Sequence, residues 1–238
     1  MATSQPPAAP AQVSVWEDFI DLFTSPSEVF ARRSGAATWL QAIVITLLVT
    51  GLFVAVKGPL QPAFDAEFAR ASARAMAKNP QITAAQMEQG RAFFEKFGIV
   101  VVALATPISL LLTGLGLWLL GKIVGSVQKF GDAFMVATYA YVPRLVGMIV
   151  GGVIALMVDP ATLNSMFSAS VGVGRFLDPD TTSHALFMFG GRVELFVIWQ
   201  TVLLGIGLSV TGKVSRGQAF AVAGLVWLLG SAMTLMQG

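Results

Sequence analysis

The chain has 238 residues, 55% of them apolar and only 12% charged, against roughly a quarter charged in an ordinary soluble domain, and that imbalance marks an integral membrane protein. A net charge of +2 without a long basic run argues against a nucleic-acid partner. There is no cysteine, which removes disulfides, thiolate nucleophiles and thiolate metal sites, and the one histidine, His184, reads as an interfacial side chain rather than a metal ligand.

The opening "MATSQPPAAPAQV" carries neither a positive segment nor an apolar core. Residues 1–13 are therefore expected to form a disordered tail rather than a signal peptide. Residues 14–37 follow as surface helices. Ser14 and Glu17 have the S-x-x-E spacing of a capping box. Trp16, Phe19, Ile20 and Phe23 then recur at helical spacing, with Glu17, Asp18 and Asp21 on the other face. Ser25 as N-cap, Pro26 at the first helical position and Glu28 open a second short helix, which Arg32 and Arg33 close. Two placements fit this pattern. Trp16, Phe19 and Phe23 lie in the membrane surface with Arg32 and Arg33 at headgroup level, or the two helices pack on the bundle as protein core.

Residues 38–238 form the membrane domain. A helix needs about 20 apolar residues to cross the hydrocarbon, and five stretches qualify: 38–57, 97–120, 131–158, 190–210 and 219–236. They are continuously apolar rather than alternating, so the fold class is all-α and not a barrel. Residues 58–96 read as a helical loop outside the hydrocarbon. Asn79-Pro80 breaks it, and a second capping box at Thr83–Gln86 opens a helix running through Phe93, Phe94 and Phe97 into the second span.

Charge does not orient the chain. Arg32, Arg33, Lys122, Lys129, Lys213 and Arg216 fall on the side of the N-terminus. Lys57, Arg70, Arg74, Lys78, Arg91, Lys96, Arg175 and Arg192 fall on the other, a larger number that opposes an N-terminus in the cytoplasm.

"LFTSPSEVF" before the first span, "ATYAYVPRLVG" in the third and "ELFVIWQTVLLGIGLSVTGKVSRGQA" from the fourth into the fifth occur in this order over residues 16–236. Together they make the sequence resemble the Yip-one domain family, the Rab-interacting polytopic membrane proteins, in its short bacterial form. The resemblance implies five transmembrane helices, a cytoplasmic N-terminus, a periplasmic C-terminus and the cell inner membrane. It supplies a fold more firmly than a function, because the Rab machinery of eukaryotic members is generally missing from bacteria.

Little points to chemistry. One histidine cannot make an H-E-x-x-H zinc site. Asp132 and Asp159, which flank the third span, lie too near its ends for a buried aspartyl pair, and "SVGVGRF" at 170–176 lacks the Lys-Ser/Thr of a P-loop. The chain is expected to be no enzyme and to need no cofactor. Gly121 to Gly125 and Gly147 to Gly151 fit G-x-x-x-G, read as helix packing within the chain or as contact with a second copy.

The informative polar residues inside or near spans are Pro143, Arg144, Arg192, Glu194 and Gln200. Pro143 is expected to bend the third span by freeing the carbonyl of Tyr139, turning Arg144 toward the bundle to pair with Glu194. The other reading sets Arg192 and Glu194 at the outer headgroups, where the fourth span begins. The function expected is a membrane scaffold or adaptor organising membrane-protein or lipid partners in the bilayer. The alternative is a small transporter or channel with a polar path lined by Arg144 and Glu194.

Overall fold

The computed structural model describes residues 14–236, which form helices joined by turns, with no strand among them. The expected tail, residues 1–13, lies outside the described residues. The two surface helices are present as α1 (Val15–Thr24) and α2 (Pro26–Arg33). The α1 capping box forms as its spacing predicts. The Glu17 N–H donates to Ser14 Oγ at 3.2 Å, and the Ser14 N–H donates to Glu17 Oε2 at 2.7 Å.

The membrane domain begins with α3 (Trp39–Lys57), followed by α4 (Gln61–Lys78) in the predicted loop. Thr83 and Gln86 then cap α5 (Ala84–Ile123), a single helix of 40 residues. At 1.5 Å per residue it is about 60 Å long, roughly twice the hydrocarbon thickness, so its N-terminal turns extend beyond the lipid core. At its other end Gly125 takes a left-handed conformation, φ 81°. The Ser126 N–H reaches back to the Gly121 carbonyl (3.0 Å) and the Gly125 N–H to that of Lys122 (3.1 Å), the Schellman pattern. Gly125 is therefore a helix stop, not the packing residue that G-x-x-x-G suggested, whereas Gly121 does sit against Leu208.

The third span is two helices, α6 (Phe130–Ala140) and α7 (Val142–Met157). Pro143 lies in the first turn of α7, where its missing N–H costs nothing. The helix is interrupted at Tyr141 rather than bent at Tyr139 as expected, because Pro143 has no N–H to continue the ladder and the Tyr141 N–H closes a tighter turn on the Thr138 carbonyl at 3.2 Å. The Arg144 N–H restarts the ladder on the Tyr141 carbonyl at 2.9 Å.

Beyond α7 come two short 3-10 turns, then α8 (His184–Arg192), α9 (Leu195–Gly212) and α10 (Arg216–Met236). Among the described residues four elements are long and apolar enough to cross a membrane: α3, α5, α6 with α7, and α9. The fifth stretch expected from sequence coincides with α10.

Helix α6 is the centre of the bundle. Met135, Val136, Ala137, Tyr139 and Ala140 have no exposed surface, and α5, α9 and α3 pack around them. Close approach here depends on small residues. A Cβ on Gly114 of α5 would lie 3.0 Å from the Phe134 backbone, and one on Gly207 of α9 would collide with Val136. Leu47, Leu104, Ile108 and Leu228 on the outer faces are exposed, as a lipid-facing surface requires.

Candidate functional site

The densest polar cluster lies where α1 and α2 meet the bundle. Asp18 is completely buried. Its Oδ1 accepts from Arg32 Nε at 2.8 Å, and its Oδ2 accepts from Arg33 Nε at 2.6 Å and from the Tyr139 hydroxyl at 2.9 Å. Terminal nitrogens of both arginines also lie 2.6 Å from this carboxylate, and Arg32 reaches Asp21 at 2.6 Å. Burial alone would lower the Arg32 pKa, but the hydrogen bonds to Asp21 and Asp18 outweigh it and the net direction is up, so the guanidinium stays charged.

This corrects the placement of Asp18 on the solvated face. Phe19 and Leu22 turn into the core, and Asp18 turns with them because two guanidiniums and a phenol are there to receive it. A buried carboxylate without such partners is costly. Arg32 and Arg33 hold this seam and are not simply headgroup anchors. A second tie runs nearby, where Asp132 Oδ1, at the start of α6, accepts the Gly35 N–H at 2.7 Å. Asp18 accepts on both of its oxygens, and with the Asp132 tie the cluster fastens the α1–α2 hairpin to the bundle.

The two placements considered for α1 divide by residue. Phe19 is buried at 8% exposure and stacks edge-on to Tyr139, with ring centroids 6.1 Å apart. Trp16, at 60%, and Phe23 stay exposed together with Ile20. Val29 and Phe30 of α2 are buried against the bundle.

Farther along the third span, against the first half of α7, lies a cavity of about 310 Å³. Arg144 and Glu194 both line it, with Phe53 and Val56 of α3 and Gly147 and Met148 of α7. The expected Arg144–Glu194 clasp is not formed. No carboxylate among the described residues lies within 4.0 Å of the Arg144 guanidinium, whose carbon sits 5.9 Å over the Tyr141 ring.

Glu194 is the N-cap of α9, its Oε2 accepting from the Phe196 and Val197 N–H groups at 3.1 and 2.9 Å. A carboxylate at a helix N-terminus meets unsatisfied donors and the positive end of the dipole, and that competes with the Arg144 pairing. The fourth span thus starts just after Glu194, as the second sequence reading has it. The cavity takes no lining from α6.

The remaining predicted residues are scattered. Arg192 donates to Ser231 on α10 at 3.2 Å, and the Trp227 indole donates to the Arg192 carbonyl at 3.3 Å. Gly147 lies against Phe196 of α9, and Gly151 faces the Ala169 carbonyl. Gln200 is half-buried on α9 and does not line the cavity. The Asp18–Tyr139 bond joins two residues that sequence spacing does not link. The one signal for it was a phenol inside a span, since a buried tyrosine hydroxyl needs a partner.

The Yip1 domain profile matches residues 20–236. The chain belongs to the Yip1 domain family. The match covers every element from within α1 to the end of α10. The membrane protein YknW of Bacillus subtilis (strain 168) is 25% identical over 197 residues, covering 82% of this chain and 78% of that protein. No solved structure is significantly similar to the chain. This Yip1-domain protein is a membrane protein, all-helical among its described residues.

Proposed function

We propose that this Yip1-domain protein is a non-enzymatic scaffold with five spans in the cell inner membrane. Its N-terminus lies in the cytoplasm and its C-terminus in the periplasm, and the α1–α2 hairpin presents a docking platform for a membrane-protein partner. The observation that carries this reading is the Asp18 cluster. A hairpin resting on a membrane by its apolar face would not need a completely buried carboxylate, two guanidiniums and a phenol to hold it. The clamp fixes Trp16, Ile20 and Phe23 outward in one orientation, and preorganising such a face lowers the entropic cost of binding. The lack of cysteine and the single histidine support a role without catalysis.

The test has two parts. A periplasm-active reporter fused after Gly238 should be active, and cytoplasmic activity there would overturn the topology. A photo-crosslinking residue at position 20 should give a discrete protein adduct in native membranes, and Asp18→Asn should abolish it. Equal background labelling in both backgrounds would overturn the platform.

A further inference from the structure

On the orientation proposed above, Arg144 is a guanidinium in the outer half of the membrane domain, and it lines a cavity with no carboxylate within 4.0 Å of it among the described residues. Such charges are normally paired or face water, and Glu194, the carboxylate of the same cavity, is engaged elsewhere. Both of its hydrogen bonds to α9 use Oε2, which leaves Oε1 without a hydrogen bond. The cavity therefore presents an unpaired cation and an open carboxylate oxygen, set apart from each other, against the apolar walls of Phe53, Val56 and Met148. Met166, half exposed, stands in the lining and marks an opening to the outside. At about 310 Å³ it falls at the small end of the roughly 300–1,000 Å³ range of ligand sites.

We infer that this cavity binds the headgroup of a phosphoethanolamine-type phospholipid from the outer leaflet. The phosphodiester sits on Arg144, whose fork of donors suits phosphate oxygens. The primary ammonium donates to Glu194 Oε1, and the glycerol and upper acyl segments lie along Phe53, Val56 and Met148. A lipid carrying phosphate alone satisfies only half of this site, and one with a quaternary ammonium has no N–H to give Glu194. The two charged groups act separately, Arg144 for affinity and Glu194 for the amine.

Native mass spectrometry of the full chain released from nanodiscs tests this, with phosphatidylethanolamine and phosphatidylglycerol present in equal amounts. The wild type should retain phosphatidylethanolamine about tenfold over phosphatidylglycerol, the ratio expected for one charge-assisted hydrogen bond. Arg144→Gln should reduce both adducts by about tenfold. Glu194→Gln keeps an amide oxygen to cap α9, so it should retain adducts but lose the preference. Equal retention of the two lipids by the wild type, or unchanged adducts in a folded Arg144→Gln, would overturn the inference. So would an unaltered preference in Glu194→Gln. Soluble glycerophosphoethanolamine added at the concentration of the lipid should not compete, and competition would overturn the lipid as the source. The cavity shares no residue with the Asp18 clamp, so Asp18→Asn should leave lipid retention unchanged and the two readings can fail separately.

Discussion

Tyr139, buried in the third span, donates its hydroxyl to the Asp18 carboxylate 2.9 Å away, across a separation of 121 residues. The bond joins the first helix of the chain to the helix at the centre of the bundle. Its strength comes from one ionised partner and the exclusion of water, since neither side chain has exposed surface.

Tyr139→Phe removes only that hydroxyl. It should destabilise the detergent-solubilised protein by about 1.5–3 kcal/mol, the range for a hydrogen bond to a charged group. Asp18→Asn should cost about 3 kcal/mol, the lower end for breaking a buried ion pair, because Arg32 and Arg33 are 28% and 22% exposed and can rehydrate. The double variant should lose less than the sum. Denaturant unfolding of the four proteins checks this, and strict additivity would show that the two groups are not coupled.

The apolar residues of α1 should separate into two kinds. Phe19→Ala should destabilise by about 3–5 kcal/mol, as expected for emptying a buried aromatic site. Trp16→Ser and Phe23→Ser should each change stability by less than about 0.5 kcal/mol, because their surfaces are already exposed. Thermal unfolding in one detergent distinguishes the cases. A large loss for Trp16→Ser would place that ring in the core.

Lys213 ends α9 with φ 53°, the one non-glycine residue in the left-handed region among those described. That conformation costs an L-residue about 1–2 kcal/mol, and a glycine there gives back about 0.4–1 kcal/mol through the freer unfolded chain. Lys213→Gly should therefore stabilise the protein by about 0.5–1 kcal/mol, and Lys213→Val should destabilise it. Unfolding midpoints at constant denaturant sensitivity would show both signs.

His184, at the start of α8, titrates below its ordinary value of 6.5. Burial is the main cause, and the positive charges of Arg74 and Lys78 on α4 add to it, with Glu67 opposing. The folded chain then holds fewer protons here than the unfolded chain between the lowered value and 6.5. Stability from this group rises with pH through that window and is lost as pH falls through it. Imidazole NMR of this single histidine should give a midpoint below 6.5. Arg74→Ala should raise it, and a midpoint unmoved by that change would remove Arg74 as a cause.

Much of the architecture follows from local sequence. The Ser14–Glu17 and Thr83–Gln86 caps, the break between α4 and α5, and the apolar lengths of the spans each depend on residues a few positions apart. A helix satisfies its own backbone, and hydrocarbon demands that it do so. The interruption of the third span was also legible from Pro143, but its position at Tyr141 depended on how the backbone restarts the ladder from Arg144.

Only the tertiary structure decided where the charges go. Asp18 carries the same helical-face signature as Glu17 and Asp21, yet it alone is buried, because Arg32, Arg33 and Tyr139 come together around it when α1 folds against α6. Equal depth along two helices suggested that Arg144 and Glu194 would pair. Depth does not report the competing donors, and the free amides at the start of α9 are nearer to Glu194 and already aligned. Composition and periodicity set which segments enter the membrane, since each segment meets the lipid with its own side chains. The pairing of buried charges depends on distances between segments far apart in the chain, and only the packed bundle sets those.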